Sequence, residues 1–413
     1  MNAQQTFVIV GGGLAGAKAA EALRAKGFDG KVIQLADEAD RPYDRPPLSK
    51  GYLQGNTERE KIYLQPPQWY TEHDIDLRLR TPVTEIDRAA HQVRTSQGET
   101  LGYDKLLLAT GSSPRRLQVP GADLPGVHYL RRVGDSDALK AAFATAQPVA
   151  IIGAGWIGLE TAAAARAAGC DVTLLEKESL PLLGVLGAEV AQTYAALHRA
   201  NGVELRMGAD VAEIIGAVDK ATGVRLGDGE VVEADTVVVG VGILPNVALA
   251  EDAGLPIDNG VVVDEHLATD DPDVYAAGDV ANAYYPLLGT SLRLEHWSAA
   301  LNQGPVAAAN MMGAATAYDK VPYFFSDQYD RGMEYSGYVP RGGYDDVVFR
   351  GDVDGGEFIA FWVKDARVLA GMNVNIWDVN EAIETLVRSG ARPDRSKLAD
   401  PDVPLSELVP QPA

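Results

Sequence analysis

The sequence predicts an α/β protein with two parallel, doubly wound sheets and a smaller α+β unit at its C-terminal end. Three observations carry that expectation. The glycine-rich turn Gly11-Gly12-Gly13-Leu14-Ala15-Gly16 follows the apolar run Phe7-Val8-Ile9-Val10. The same pattern returns as Gly153-Ala154-Gly155-Trp156-Ile157-Gly158, again directly after an apolar run. Beyond about Pro322 the helix-forming, alanine-rich stretches give way to short aromatic and β-branched runs.

Taken in order, the first unit reads as strand 6–10, helix 14–26 and strand 32–36. The second repeats it as strand 149–152, helix 157–168 and strand 172–175. Each unit later has an apolar run that ends in small residues, Leu106-Leu107-Leu108-Ala109-Thr110-Gly111 and Val237-Val238-Val239-Gly240-Val241-Gly242. Pro114, Pro120 and Pro125 mark one crossover between the units and Pro245 marks the return, so the second unit reads as an insertion in the first. Val274-Tyr275-Ala276-Ala277-Gly278-Asp279 then adds a strand to the first unit. Strands around Tyr323-Phe324-Phe325, Val347-Val348-Phe349 and Phe358–Trp362 precede a helix at 379–389. The expected domains are 1–114 with 246–321, then 115–245 inserted between them, then 322–413.

A strand, a G-x-G-x-x-G turn and a helix form a dinucleotide site when they occur in that order. Gly11 and Gly153 allow the tight turn, while Gly13 and Gly155 let the backbone approach a pyrophosphate. Gly16 and Gly158 let helix and strand pack closely, leaving the helix N-terminus to face the phosphates. An acid about 20 residues past such glycines accepts hydrogen bonds from the adenosine ribose. Glu176 stands there in the second unit and repels a 2′-phosphate, so NADH is expected in preference to NADPH. Asp37 holds the matching place in the first unit, whose second contact comes from Asp279, an acceptor for a ribityl hydroxyl. The first site is therefore expected to hold a flavin dinucleotide. A helix N-cap role for Asp279 is compatible with that contact and does not compete with it.

Of 413 residues, 46% are hydrophobic and 23% charged, as in ordinary globular proteins. The formal charge of -22 argues against nucleic acid and anionic membranes as partners. No uncharged apolar run is long enough to span a bilayer, and a cytoplasmic location is expected. Cys170 is the single cysteine, which excludes an internal disulfide and a cysteine-only metal site. Its setting between a helix and an apolar strand reads as core. The six histidines show no metal-ligand spacing, and no metal is expected.

Further segments give the chain a likeness. Arg45-Pro46-Pro47-Leu48-Ser49-Lys50, Ala109-Thr110-Gly111, Gly242-Ile243-Leu244-Pro245-Asn246, Gly278-Asp279, Phe325-Ser326-Asp327-Gln328-Tyr329 and Leu398-Ala399-Asp400-Pro401 occur in order with the two glycine turns. Over nearly its whole length the sequence resembles the FAD-dependent ferredoxin reductases of bacterial P450 and aromatic-dioxygenase systems, the putidaredoxin and rhodocoxin reductase family. The fold implied is glutathione-reductase-like. The resemblance implies non-covalent FAD contacts at Ala15, Asp37, Arg45, Lys50, Val83, Arg131, Asp279 and Trp297. It implies NADH contacts at Ile157 and Glu176, with Glu160 reaching the nicotinamide. Phe325 departs from the tryptophan of many relatives.

The Arg45–Gly51 segment lacks the cysteine that many glutathione-reductase-like enzymes carry beside the flavin. Electrons are therefore expected to leave reduced flavin for an external acceptor. Lys50 is the candidate for stabilising negative charge near flavin N5, and Glu160 for pairing with Lys50 and receiving the carboxamide. The reaction implied is hydride transfer from NADH to FAD, then single-electron transfer to a [2Fe–2S] ferredoxin that serves a cytochrome P450. A rubredoxin or dioxygenase-ferredoxin reductase, and an NADH-sensing protein like apoptosis-inducing factor, remain as alternatives. Arg293, Arg331 and Arg341 are candidates for a local basic docking patch, and His296 reads as filling a helix entrance beside Trp297.

Overall fold

Four consecutive buried residues, Phe7 to Val10, make Thr6–Val10 the centre of a sheet covered on both faces. In this computed structural model, which describes residues 5–217 and 220–409, that strand is flanked in parallel by Lys31–Leu35 and Lys105–Leu108. Ile75–Arg78 and Val274–Ala276 lie outside them, also parallel. The helix Leu14–Ala25 packs on Trp297–Met311 through small residues. A Cβ added to Gly304 would fall 2.3 Å from the Ala15 carbonyl oxygen.

The second parallel sheet repeats the arrangement around Val149–Ile152. Val172–Glu176 and Thr236–Val239 flank it, with Val203–Met207 and Val127–His128 outside. The two sheets differ in the strand beside the closing one. It follows the closing strand along the chain in the first sheet (Val274–Ala276) and precedes it in the second (Val127–His128).

The chain forms two compact units, Met1–Asp44 with Arg59–Ser113 and Leu244–Pro322, and Arg45–Glu58 with Pro114–Ile243 and Tyr323–Ala413. The Arg45–Glu58 segment thus packs with the second parallel sheet. The C-terminal strands form an antiparallel sheet in the order Tyr323–Gln328, Arg331–Gly337, Arg367–Val374, Glu357–Lys364, Asp346–Asp352. Trp362 and Met372 of this sheet share one apolar core with Leu186 and Val190 of the helix Leu183–Ala200. That helix is broken at Gly187, whose φ of +77° suits glycine and where a Cβ would meet the Tyr344 hydroxyl at 1.9 Å. Buried Trp362 donates its indole N–H to the Leu186 carbonyl there, at 3.0 Å. Arg350 secures the C-terminal tail by donating to the carbonyls of Asp400 and Val403, both at 2.5 Å.

The expected helices shift by one residue: 14–26 ends at Ala25, 157–168 runs Trp156–Ala167, and 379–389 starts at Asn380. Cys170 is fully buried, its thiol 3.5 Å from the Phe143 carbonyl, and burial pushes its pKa up.

Candidate active site

The glycine turn of the first unit is shaped by backbone contact. Gly11 has φ +137°, and a Cβ there would lie 2.0 Å from the Ala109 carbonyl oxygen. At Gly16 a Cβ would lie 2.4 Å from the Gly11 carbonyl oxygen, so helix and turn touch through main chain. Gly13 is the reverse: an added Cβ meets nothing within 4 Å. Gly13 is also the N-cap of Leu14–Ala25, so no side chain competes for the first amides of the helix. Asp37 lies exposed just beyond the Lys31–Leu35 strand, while its neighbour Glu38 accepts from the Tyr43 hydroxyl at 2.6 Å.

Asp279 is not the N-cap residue of its own turn. It lies inside the single 3₁₀ turn Gly278–Val280, whose N-cap is Ala277, and accepts from the Ser112 hydroxyl at 2.7 Å. Trp297 opens the helix Trp297–Met311, and its indole N–H donates to Asp44 at 2.8 Å. His296, the N-cap of that helix, is held down to about pKa 4 by burial, against the nearby charge of Asp279. Val83 starts the strand Val83–Asp87 and is buried.

The second unit repeats the turn. Gly153 has φ +101°, Gly158 would bring a Cβ within 2.0 Å of the Gly153 carbonyl oxygen, and Gly155 again faces open space. Ile157 is exposed, an apolar side chain presented at the helix N-terminus. The Glu176 carboxylate is pinned by two backbone amides, that of Ala154 at 2.6 Å and that of Glu178 at 2.9 Å. No arginine cluster follows Glu176 along the chain at this edge. An arginine reaches it from a distant loop, for Arg341 pairs with Glu178 at 2.9 Å.

Two prolines restrict the backbone of Arg45–Lys50 to the 3₁₀ turn Pro46–Ser49, which buries Leu48 and Ser49. Arg45 donates to the Arg131 carbonyl at 2.7 Å, bringing two of the candidate residues together. Lys50 follows the turn and meets Glu160 of the helix Trp156–Ala167, Nζ to Oε1, at 2.8 Å. Its ammonium also lies 5.4 Å from the centroid of the Phe325 ring, within cation–π range. A buried ion pair costs desolvation unless its remaining polar atoms are hydrogen-bonded. Here Ser49 donates to Glu160 Oε2 at 2.5 Å and Ser326 donates to Oε1 at 2.6 Å.

Six side chains that contribute to the two units are not singled out by the sequence, Asp44, Ser112, Ser49, Ser326, Gln328 and His198, and Arg341 is singled out only as a docking-patch candidate. Ser49, Ser326 and Gln328 lie in segments that carried the family resemblance, which was their only signal. Of the proposed basic patch, Arg293 pairs with Glu295, Arg331 with Asp330 and Arg341 with Glu178. Each of these cations has a carboxylate of the same chain beside it. Among the described residues no group of three or more His, Cys, Asp or Glu could hold a metal ion, and no helix is long and apolar enough to cross a membrane.

Two open glycine turns, each at an uncapped helix N-terminus and each with a carboxylate at the end of the next strand, fit two dinucleotides. They define a two-dinucleotide oxidoreductase. Comparison with known proteins gives the same class. Residues 5–304 match the pyridine nucleotide-disulphide oxidoreductase family and residues 323–409 match the reductase C-terminal family. Rhodocoxin reductase of Rhodococcus erythropolis is 42% identical over 90% of this chain and 86% of its own length. The ferredoxin–NAD(+) reductase component of the anthranilate 1,2-dioxygenase system of Burkholderia cepacia is 42% identical over 98% of this chain and 99% of its own. The crystal structure of the covalent putidaredoxin reductase–putidaredoxin complex matches with a TM-score of 0.95 at 37% identity, covering 98% of each chain. The chain belongs to the pyridine nucleotide-disulphide oxidoreductase family. It is an oxidoreductase of that family's flavoprotein, NAD(H)-linked ferredoxin reductase branch.

Proposed function

We propose that this protein oxidises NADH and delivers the electrons singly to a [2Fe–2S] ferredoxin that serves a cytochrome P450. The observation that carries the reading is the state of the only cysteine. Cys170 is buried in the core of the second unit, so no thiol is available to relay electrons as in a disulfide reductase. FAD, when bound, supplies the conversion of one two-electron transfer into two one-electron transfers. The residues that would hold it are Gly11, Gly13, Ala15 and Gly16 at the turn, Asp37 at the ribose, Asp279 at the ribityl chain, and Arg45, Lys50, Val83, Arg131 and Trp297 around the rest. Gly153, Gly155, Ile157, Gly158 and Glu176 would hold NADH. Lys50 and Glu160 are the proposed catalytic pair. Lys50 stabilises developing negative charge at the ring system, and Glu160 orients the carboxamide and keeps the ammonium in place. Reliance on NADH supports a cytoplasmic location.

The test is stopped-flow reduction by NADH, followed by mixing with a panel of ferredoxins and a rubredoxin. Rapid reoxidation by a [2Fe–2S] ferredoxin supports the proposal. Preference for rubredoxin would redirect it to that acceptor, and slow reduction with a long-lived charge-transfer band would indicate an NADH sensor.

A further inference from the structure

Glu160 is the near end of a longer buried series. Ser326 Oγ, which donates to Glu160 Oε1, is itself 3.1 Å from the side-chain nitrogen of Gln328. The Gln328 side-chain oxygen lies 2.8 Å from Nε2 of His198, a residue of the helix Leu183–Ala200. His198 Nδ1 faces the Tyr329 hydroxyl at 3.4 Å. Ser326, Gln328 and His198 are all buried, each at 2% exposure or less.

The ionised end sets the direction of every link. A carboxylate only accepts, so the single Ser326 proton goes to Glu160. Ser326 must then accept from Gln328, which turns the amide nitrogen towards it. The amide oxygen consequently faces His198, whose Nε2 must carry the hydrogen. With Nε2 protonated, neutral His198 offers only a lone pair at Nδ1, on the side of Tyr329. Burial favours that neutral ring.

We propose that His198, Gln328 and Ser326 form a one-way hydrogen-bond chain that fixes the orientation of the Glu160 carboxylate, and with it the place of Lys50. The three are positioning residues. Ser326 alone could donate to Glu160, but an isolated serine hydroxyl rotates among staggered positions. Gln328 holds it in one by occupying its lone pair, and His198 holds the amide against flipping. Ser49 restrains the other carboxylate oxygen, so the group has no free rotation. The inference rests on the role given to Glu160 above.

Two measurements on the FAD-loaded full chain test it. The first is the tautomer of His198 from ¹⁵N-histidine spectra. The wild type should show the Nε2–H form, and Glu160→Ala, which removes the acceptor that orders the chain, should yield a mixture with Nδ1–H. A wild-type Nδ1–H tautomer would overturn the chain, as would a spectrum that Glu160→Ala leaves unchanged. The second is flavin reduction by NADH. Ser326→Ala should slow it about tenfold and raise the NADH KM, Gln328→Leu should do so by a smaller factor, and Ser326→Thr should restore most of the rate. Wild-type behaviour in both Ser326→Ala and Gln328→Leu, with Glu160→Ala impaired, overturns the positioning inference alone. A wild-type rate in Glu160→Ala would instead overturn the role of Glu160.

Discussion

Lys50 and Glu160 form an enclosed ion pair, Nζ to Oε1 at 2.8 Å, in which 3% of the glutamate side chain remains exposed. Both hydroxyl partners of the carboxylate sit on other elements, Ser49 on the double-proline turn and Ser326 on the strand Tyr323–Gln328. Three chain segments therefore converge on one carboxylate. Lys50→Met should slow flavin reduction by NADH about a hundredfold or more, since removing a charge-stabilising donor costs about 2.7–4 kcal/mol in comparable cases. Glu160→Ala should weaken nicotinamide positioning and leave FAD bound. The double variant should be less impaired than independent losses give, because the two act as one unit. Pre-steady-state flavin bleaching measures all three, and wild-type rates in both single variants would reduce the pair to a structural role.

Asp279 and Ser112 make the corresponding prediction for the first unit. Purified protein should be yellow, with one FAD per chain released intact on denaturation. Asp279→Ala removes the acceptor proposed for the ribityl chain and should lower FAD affinity, read as free flavin after dialysis. Ser112→Ala removes one hydroxyl that donates to Asp279, so its effect should be smaller and in the same direction. Undiminished FAD affinity in Asp279→Ala would refute the assignment.

Two buried histidines make stability depend on pH. Burial holds His198 and His296 at about pKa 4 in the folded chain, below the ordinary value of 6.5. Between those values the unfolded chain binds protons that the folded chain does not. Their contribution to stability is thus complete above about pH 6.5 and declines as the pH falls towards 4. The loss at pH 5 is on the order of 2 kcal/mol for each histidine. Urea unfolding at pH 7.5 and 5 should show it, and His198→Asn should lose less stability between the two pH values than the wild type. Equal losses would contradict the buried neutral state of His198.

Both parallel sheets were legible because their signals are local: an apolar strand, a glycine turn and an alanine-rich helix adjoin in sequence. Val127–His128, a strand of two residues, has no periodicity to detect. Lys50 and Glu160 were found through residue type and family likeness. Their support was not, because Ser326, Gln328 and His198 are separated from Glu160 along the chain and come together only through packing of the C-terminal sheet on the helix Leu183–Ala200. The place of Arg341 beside Glu178 is hidden for the same reason, although the residue itself is a docking-patch candidate in the sequence. No arginine cluster follows Glu176 along the chain, whereas Arg341 arrives across space from the loop before the Asp346–Asp352 strand.

That arginine sharpens the cofactor prediction. Glu176 is held by two backbone amides, and in the ribose role proposed for it the carboxylate would repel a 2′-phosphate, while Glu178 pairs with Arg341 nearby. The wild type should therefore prefer NADH. Glu176→Ala with Lys177→Arg should shift the ratio of kcat/KM values towards NADPH by removing the repulsion and adding charge. Glu178→Ala should shift it in the same direction by releasing Arg341, an effect that Arg341→Ala in the same background should cancel. Exposed ion pairs contribute about 0–1 kcal/mol, so the Glu178 step should be severalfold at most. The Glu176 change should be the larger. Equal use of both nucleotides by the wild type would refute the ribose assignment, and a Glu178→Ala shift that survives loss of Arg341 would refute the part given to the arginine.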